Sequence, residues 1–310
     1  MRIVFMGTPE FAVPSLRALA RVHDVAAVYT RPDAASGRGR GLMPSAVKTV
    51  AMDLGLDVHQ PRTLRDPGVV QALRAMRPDL ICVAAYGLIL PRDVLDVPSS
   101  GALNVHASLL PRWRGAAPIQ RAILEGDGVT GVSIMRMEEG LDTGDFTEVV
   151  SVPTDEYTAA ELTNMLAQLG AAALIRAIEH IEDGTIIWLE QDDAHATYAP
   201  KIEKSDVALE PSLSARDAAR RVRASTSSAP ARLRIGDRSL TILRAVEAPS
   251  MPSDLKAGEL SVRSHGVLIG FSEGALQILS VKPEGKREMP ATDWVRGMRL
   301  PENPSWVAPS

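Results

Sequence analysis

The chain has 310 residues, a formal charge of −4 and a pI near 5.9, and its composition is that of an ordinary globular protein. The length suits two domains better than one, and the mild acidity excludes a surface that is basic throughout. Residues 205–310 hold 15 Lys and Arg against 12 Asp and Glu, whereas residues 1–204 hold 19 against 26. A polyanion would therefore prefer the C-terminal part, although a chance split of surface charge explains the count about as well.

Apolar runs and helical patterns alternate along the first part of the chain. The first apolar run ends at the turn signal Gly7-Thr8-Pro9, and Pro14 is tolerable because it falls in the first turn of the helix that follows. Alternation of this kind predicts parallel βαβ units in an α/β sheet. Strands are predicted over 2–6, 25–29, 80–85 and 101–106, and helices over 11–21 and 45–54.

The second part begins with a long helix and continues with short strands. The capping box Thr158-Ala159-Ala160-Glu161 predicts where the long helix starts, and Asp183-Gly184 predicts its end. A shorter Arg-rich helix is predicted from Ser214. Closely spaced strands with turns then predict a small β-barrel, with strands over 232–235, 239–243, 259–263, 267–271 and 276–281. We expect a first domain over 1–186, a linker over 187–204 and a C-terminal barrel domain over 205–310.

The single cysteine, Cys82, lies in the apolar run 80–84, which favours a buried strand thiol over a nucleophile. A disulfide within the chain is excluded, which fits a reducing compartment. Residues 1–5 enter a predicted strand directly, without a cleavable apolar leader, and no run has transmembrane length, so we expect a cytoplasmic protein. The histidines and the cysteine show no metal-ligand spacing, so we expect no metal dependence.

The stretch from Asn104 to Asp142 holds the groups that acyl-group chemistry requires. Asn104 and His106 stand two apart at the end of a predicted strand, so their side chains point to the same face, at the edge where α/β sheets bind ligands. Asp142 lies in a Gly-bracketed loop whose freedom lets a carboxylate approach an imidazole. An amide can hold an oxyanion, an imidazole can carry a proton, and a carboxylate can orient the imidazole. A polar cluster that only satisfies its own hydrogen bonds is the alternative.

Two segments of this stretch resemble the signature of 10-formyltetrahydrofolate-dependent formyltransferases. They are residues 104–120, NVHASLLPRWRGAAPIQ, and residues 140–145, GLDTGD. Further segments resemble the branch of that family that formylates methionyl-initiator-tRNA. These are residues 6–11, 37–39 with 42–44, and 85–91. The matches run in family order through the N-terminal two thirds of the chain.

The resemblance implies a Rossmann-like formyltransferase domain followed by a small OB-like β-barrel domain that binds tRNA. It implies that the methionine amino group attacks the formyl carbon of 10-formyltetrahydrofolate directly. Asn104 and protonated His106 would stabilise the tetrahedral oxyanion, while Asp142 would hold His106 and assist proton movement. Close placement of the two substrates should supply much of the rate.

A folate site along two loops is also implied by the resemblance. Backbone groups there can pair with a pterin, and apolar side chains can form the walls. Ordinary core packing is an alternative or additional role for Leu109 and Leu110. The implied folate contacts are Tyr86, Gly87, Leu88, Ile89, Ser108, Leu109, Leu110 and Pro111.

Contacts to tRNA are implied in two regions. The loop over 31–44 lacks the spacing of a dinucleotide fingerprint and would wedge against the tRNA acceptor end, with Arg38 at the family's key arginine and Arg40 beside it. A solvated surface loop is the alternative. Residues 225–230, STSSAP, depart from the Asn-Pro-aromatic-Pro-like turn of relatives. The C-terminal contacts, unless these charges are merely solvated, are Arg220, Arg221, Arg223, Arg232, Arg234, Lys282, Lys286 and Arg287.

Two other functions fit parts of the sequence. A formyltransferase for a small amine, such as glycinamide ribonucleotide or an amino sugar nucleotide, would share the amide, imidazole and carboxylate. The Arg38 loop and the C-terminal barrel argue against it. A catalytically idle RNA-binding protein with an OB-like module would not need Asn104, His106 and Asp142, and aromatic residues for stacking single strands are scarce in the C-terminal part. We therefore expect the tRNA-acting enzyme, as a monomer.

Overall fold

A computed structural model describes residues 1–36, 41–154, 156–250, 252, 255–263, 266–298 and 304–308. The chain divides into two compact units. The first comprises Met1–Pro118, Val129–Pro153 and Thr163–Ala199, and the second comprises Ile119–Gly128, Thr154–Leu162 and Pro200–Ser310. Within the described ranges, no helix combines the length and the apolarity that crossing a membrane requires.

The first unit alternates strands and helices, as the sequence predicts. Its strands are β1 (Arg2–Gly7), β2 (Asp24–Tyr29), β3 (Ala34–Ser36), β4 (Gly41–Met43), β5 (Val58–His59), β6 (Leu80–Ala84), β7 (Ala102–His106), β8 (Arg114–Gly115), β9 (Val129–Arg136), β10 (Phe146–Pro153) and β11 (Tyr198–Ala199). The helices of the chain are α1 (Val13–Val22), α2 (Ala46–Asp53), α3 (Pro67–Met76), α4 (Arg92–Leu95), α5 (Pro118–Glu125), α6 (Ala159–Glu182), α7 (Ala215–Ala224) and α8 (Ala291–Arg296).

Seven strands form the main sheet, in the order β10-β9-β7-β6-β1-β2-β5. The strands from β7 to β5 pair in parallel, whereas β9 and β10 extend the sheet in antiparallel fashion. Every residue of β6 is buried, as expected for a strand that is covered on both faces. This arrangement confirms the Rossmann-like α/β fold. The carboxyl ends of β1, β6 and β7 meet at one edge, which is where such sheets bind ligands.

Helix α6 begins at the predicted capping box. The Glu161 carboxylate accepts a hydrogen bond from the Thr158 N–H at 2.8 Å, and the Thr158 hydroxyl accepts one from the Glu161 N–H at 3.3 Å. Arg244 also donates to Glu161 at 3.0 Å. The N–H and hydroxyl of Thr158, with Arg244, hold the pKa of Glu161 below its ordinary value of 4.5. The cap is therefore strongest when Glu161 is ionised.

We expect Glu161→Gln to lower the free energy of unfolding at pH 7 by less than about 1 kcal/mol, because the group is partly exposed to solvent. Gln keeps the cap but not the charge. A depressed carboxyl pKa contributes stability above pH 4.5 that is lost as the pH falls through the folded-state pKa. Urea unfolding of both proteins at pH 7 and pH 3.5 measures this. A difference that is equal at both pH values would contradict it.

The second unit is built on an antiparallel sheet. Its strands are β12 (Arg232–Ile235), β13 (Arg238–Glu247), β14 (Leu260–Arg263), β15 (Gly266–Gly270), β16 (Ala275–Pro283) and β17 (Met289–Pro290). They pair in the order β12-β13-β16-β15-β14, and β17 joins β16. The predicted hairpin between β12 and β13 turns at Gly236, which has φ 59°. All five predicted strands are present, so the expectation of a small OB-like β domain is confirmed.

A segment near the C-terminus lies against both edges of this sheet. Arg234 and Val307 exchange two backbone hydrogen bonds, at 2.8 and 2.9 Å. The Leu260 N–H donates to Pro304 O at 2.8 Å. Because Arg234 is on one edge strand and Leu260 on the other, the segment brings the sheet toward a closed barrel.

Residues of the expected linker over 187–204 pack on the first unit as far as Ala199. Leu189 exchanges backbone hydrogen bonds with Phe146 at 2.8 and 3.0 Å, and β11 pairs in parallel with β8. Polar composition alone made this segment resemble a linker, although its backbone is paired. The functional division of the chain at residues 186 and 205 stays a prediction.

Candidate functional site

Asn104 and His106 lie in the C-terminal half of strand β7, which pairs with β6 on one side and with β9 on the other. Asn104 is opposite Val83 on one side, and His106 is opposite Ser133 on the other. His106 is only 5% exposed, whereas Asn104 is half-buried. The two-residue strand repeat puts both side chains on the same face, as the sequence predicts.

The imidazole of His106 is held from two sides. Nε2 lies 2.9 Å from the carbonyl oxygen of Trp113, which can only accept, so Nε2 carries the proton. Nδ1 lies 3.7 Å from Oδ2 of Asp142. That distance suits an ion pair with a protonated ring but exceeds a hydrogen bond. The ring is therefore fixed in its tautomer by Trp113 and has a carboxylate beside its other nitrogen.

Asp142 reaches this position because of a left-handed backbone and a backbone donor. Its φ is 54°, a conformation that Asp adopts more readily than most residues. Its Oδ2 accepts a hydrogen bond from the Gly115 N–H at 2.8 Å. Gly115 has φ 122°, and a side chain there would lie 2.9 Å from the backbone of Ala199. The left-handed backbone of Asp142 and the side-chain-free Gly115 together bring the carboxylate to the histidine.

A second group of polar residues lies behind the Asp142 loop and was not predicted from the sequence. Gln191, 7% exposed, donates from Nε2 to the carbonyl oxygens of Asp142 at 2.9 Å and Gly144 at 2.7 Å. Arg114, 2% exposed, donates from Nε to Oε1 of Gln191 at 2.9 Å and from its terminal nitrogen to Asp193 at 2.7 Å. An arginine inside the 104–120 signature was the one signal that could have led to this group.

The site therefore presents an amide donor, an imidazole and a carboxylate at a ligand-binding sheet edge. Such an arrangement can stabilise an oxyanion and move one proton between two nitrogen atoms. Cys82 is fully buried, and burial raises the pKa of its thiol well above the ordinary value. This confirms the expectation that it is a strand thiol. The described residues contain no metal-binding group of three or more His, Cys, Asp or Glu, and metal independence stays a prediction.

The first expected folate loop, 86–89, follows β6. Gly87 has φ 83° and open space at the position of a missing side chain, Leu88 is half-buried and Ile89 is 79% exposed. Tyr86, however, is 2% exposed and packs in the core beside Tyr29. Burial raises the pKa of Tyr86 to about 12. Within this loop, the Ile89 side chain is exposed to solvent, whereas Leu88 packs in part against the core that holds the Tyr86 ring.

The second expected folate loop, 108–111, is tied to β9. The Ser108 hydroxyl donates to Arg112 O at 2.6 Å, and the Leu110 N–H donates to Ser133 Oγ at 3.2 Å. Ser108 and Leu110 are buried, while Leu109 and Pro111 are half-buried. The Leu110–Pro111 peptide bond is cis. Ser108 and Leu110 thus hold the loop, which leaves Leu109 and Pro111 as the better candidates for direct contact.

Arg38 and Arg40 lie outside the described residues. The strands on either side of them, β3 and β4, pair as an antiparallel ribbon in which Ala34 is opposite Met43. Leu42 and Met43 are 72% and 57% exposed. The ribbon thus displays apolar side chains.

The expected C-terminal contacts fall into two groups. Arg220 pairs with Asp217 at 3.4 Å, Arg221 donates to Ala208 O at 2.5 Å, and Arg223 donates to Thr154 O at 2.6 Å. These three are engaged within the second unit. The divergent 225–230 segment forms a compact turn, since the Thr226 hydroxyl accepts from the Ala229 N–H at 3.0 Å. The second group consists of the expected contacts whose side chains are exposed to solvent, which are Arg232, Arg234, Lys282, Lys286 and Arg287.

Both units match known family models. Residues 1–178 match the model described as formyl transferase, and residues 201–299 match the model described as formyl transferase, C-terminal domain. Among curated proteins, the methionyl-tRNA formyltransferase of Halorhodospira halophila is 47% identical over 302 residues, which cover 96% of this chain and 97% of that protein. That of Methylococcus capsulatus is 46% identical and covers 97% and 98%.

A solved structure of similar fold is that of WlaRD, a sugar 3N-formyl transferase crystallised in the presence of dTDP and 5-N-formyl-THF. The TM-score is 0.66, the sequence identity is 16%, and the match covers 93% of this chain and 99% of that one. At this identity the likeness concerns the fold alone. It extends over both units, including the small C-terminal sheet.

Proposed function

This chain belongs to the formyl transferase family, and on that basis we propose that Asn104, His106 and Asp142 carry out its reaction. The enzyme transfers the formyl group of 10-formyltetrahydrofolate to the free amino group of methionyl-initiator-tRNA, giving N-formylmethionyl-tRNA for translation initiation. The observation that supports the catalytic assignment is the convergence of the three groups. His106 is fixed by Trp113 O at 2.9 Å, with the Asp142 carboxylate 3.7 Å from its other nitrogen.

The reaction needs no nucleophile from the protein, because the acceptor brings its own amine. The amine lone pair attacks the formyl carbon, a C–N bond forms, and the carbonyl electrons move to oxygen. The Asn104 amide and the Nδ1–H of protonated His106 donate to that oxyanion, since the Nε2–H already donates to Trp113 O. When the intermediate collapses, the bond to the folate nitrogen breaks. The proton of the attacking amine then passes to the leaving nitrogen with the help of the Asp142–His106 pair.

The residues of the loop 86–89, which follows β6, suit the binding of a folate. Gly87 leaves open space, and the exposed Ile89 and half-buried Leu88 offer apolar surface to a pterin ring. Leu109 and Pro111 offer a second wall. Tyr86 contributes backbone rather than its ring, since its side chain is in the core. We propose that the formyl donor lies along these two loops.

Replacing Ile89 by Ser should raise KM for the formyl donor by roughly 5- to 30-fold, because covering an exposed aliphatic side chain with the donor contributes roughly 1–2 kcal/mol through apolar contact. We expect little change in kcat or in KM for tRNA. Steady-state formylation with each substrate varied in turn provides the measurement. Val22→Ser, at another strongly exposed aliphatic residue, is the control. An unchanged donor KM for the Ile89 variant would place the folate elsewhere.

The Arg38 loop is proposed to contact the acceptor end of the tRNA. A guanidinium in a Gly-rich sequence suits binding to an RNA backbone, where charge-assisted hydrogen bonds are strong. Arg38→Ala should raise KM for methionyl-tRNA by about 10- to 150-fold, since such a bond contributes about 1.5–3 kcal/mol. Arg17→Ala, on the exposed surface of α1, serves as the matched control. Identical tRNA saturation curves for wild type and the Arg38 variant would count against this role.

The C-terminal contacts are proposed on the exposed basic side chains of the second unit rather than on its engaged ones. Among the residues expected from the sequence, Lys286 is exposed, whereas Arg220, Arg221 and Arg223 already have partners.

We propose that the enzyme acts as a monomer in the cytoplasm, where aminoacylated tRNA is available. Light scattering after size exclusion should give the mass of one chain, and a dimer mass would correct this.

One assay tests the proposed function. Purified enzyme is given 10-formyltetrahydrofolate with methionylated initiator tRNA or with methionylated elongator tRNA. We expect rapid formylation of the initiator and much slower formylation of the elongator. No formylated product from either tRNA would favour a small-amine acceptor or an idle RNA-binding protein.

A further inference from the structure

Gln191 is buried, and its side chain donates two hydrogen bonds to the backbone of the loop that carries Asp142. Among the residues that the structure describes, no other buried side chain does this. Gln191 lies 49 residues beyond Asp142 in the sequence, in the segment that precedes β11. It donates to Asp142 O and Gly144 O, on either side of Thr143. A buried amide that spends both donors on one loop fixes that loop more tightly than a surface contact does.

The orientation of the amide is set by Arg114. The Arg114 Nε–H can only donate, so the side-chain atom that it meets at 2.9 Å must be Oε1 of Gln191. The opposite flip would place the amide oxygen against two carbonyl oxygens and the amide nitrogen against a guanidinium. Arg114 is itself held by Asp193 at 2.7 Å. All these hydrogen bonds therefore run in one donor-to-acceptor direction, from Arg114 to Gln191 and from Gln191 to the carbonyl oxygens of the Asp142 loop.

The Asp142 backbone has a left-handed conformation, which its surrounding contacts stabilise. Its left-handed φ of 54° is unfavourable for a residue with a side chain, and such conformations persist where surrounding contacts hold them. The Gly115 N–H holds the carboxylate at 2.8 Å, and Gln191 holds the carbonyl of the same residue at 2.9 Å. The two contacts fix both ends of one residue next to His106.

We propose that Gln191, oriented by Arg114, is a positioning residue that keeps the Asp142 carboxylate in place for formyl transfer. The proposal rests on the proposed function of Asp142. Gln191 touches no reacting atom and acts through the loop. A displacement of the carboxylate by about 1 Å would cost about 10²-fold in rate without affecting substrate binding.

The test compares Gln191→Glu with wild type and with Gln71→Glu, the same substitution at an exposed position on α3. Glu at 191 keeps the partner of Arg114, so the fold is maintained, but it cannot donate to the two loop carbonyls. We expect kcat to fall by about 10- to 100-fold, with KM for both substrates within about twofold. Gln191→Ala should show the same fall. Wild-type kcat for both variants, or a change confined to KM, would overturn the proposal.

Amide hydrogen exchange gives a readout that a general loss of stability would not produce. In Gln191→Glu, the Gly115 amide should exchange faster, because its acceptor is Asp142 Oδ2. The Ala116 amide, which donates to Ala199 O at 2.8 Å, should keep its protection. Equal protection of Gly115 in wild type and variant would overturn the proposal. Failure of the proposed function is distinguishable, because then wild type and Gln71→Glu would also lack formyl transfer.

Discussion

Asn104→Ala should lower kcat for formyl transfer by about 10²- to 10³-fold, the usual cost of removing one side-chain donor to an oxyanion. Asn104 is half-buried in β7, two residues before His106. In the proposed mechanism its amide donates to the formyl oxygen as that oxygen becomes charged. The interaction is thus made in the transition state, so KM for both substrates should stay close to its wild-type value.

The control for this variant is Asn164→Ala, on the exposed face of α6. It removes the same amide at a place without a role in the site. Steady-state kinetics with both substrates varied, together with thermal unfolding, separates catalysis from folding. Near-normal turnover by a folded Asn104→Ala enzyme would remove the amide from the mechanism.

Asp142→Asn should lower kcat by about 10²- to 10⁴-fold, because proton transfer through His106 then lacks its carboxylate. The substitution is nearly isosteric, and Asn adopts the left-handed conformation of this position about as readily as Asp. Its side-chain oxygen can still accept from the Gly115 N–H, so the loop is expected to stay in place. The lost charge is the single intended change.

Asp183→Asn, at the exposed end of α6, is the matched control for the loss of a carboxylate. It should retain full activity. The stability of the Asp142 variant should be close to that of wild type, because the backbone contacts of the loop remain. A turnover within about threefold of wild type would mean that His106 works without the carboxylate, contrary to the usual contribution of such groups.

Much of the site could be predicted from the sequence, because its parts are local. The two-residue repeat of a strand placed Asn104 and His106 on one face, and the glycines around Asp142 allowed the approach that the structure contains. Gln191 and Arg114 could not be predicted in this way. They lie 77 residues apart, and neither belongs to a periodic pattern.

The fold was predicted best where a pattern has a regular period. The parallel strands β1, β2, β6 and β7 and the five barrel strands follow from apolar runs and alternation, whereas the two-residue parallel strand β5 was not predicted. The antiparallel strands β9 and β10 were not predicted, nor was α3, although Asp66 caps that helix at 2.8 Å and Pro67 stands in its first turn. The pairing of β11 with β8 inside the expected linker was not predicted, because it depends on distant partners that composition does not reveal.

The most direct test of the central claim is a single-turnover experiment with enzyme in excess over initiator methionyl-tRNA and with saturating 10-formyltetrahydrofolate. The rate constant of formyl transfer is compared for wild type, Asp142→Asn and Asp183→Asn. Because both substrates are already bound, binding effects are removed. We predict that only Asp142→Asn is slowed, by about 10²-fold or more. Equal rate constants for all three enzymes would contradict the account.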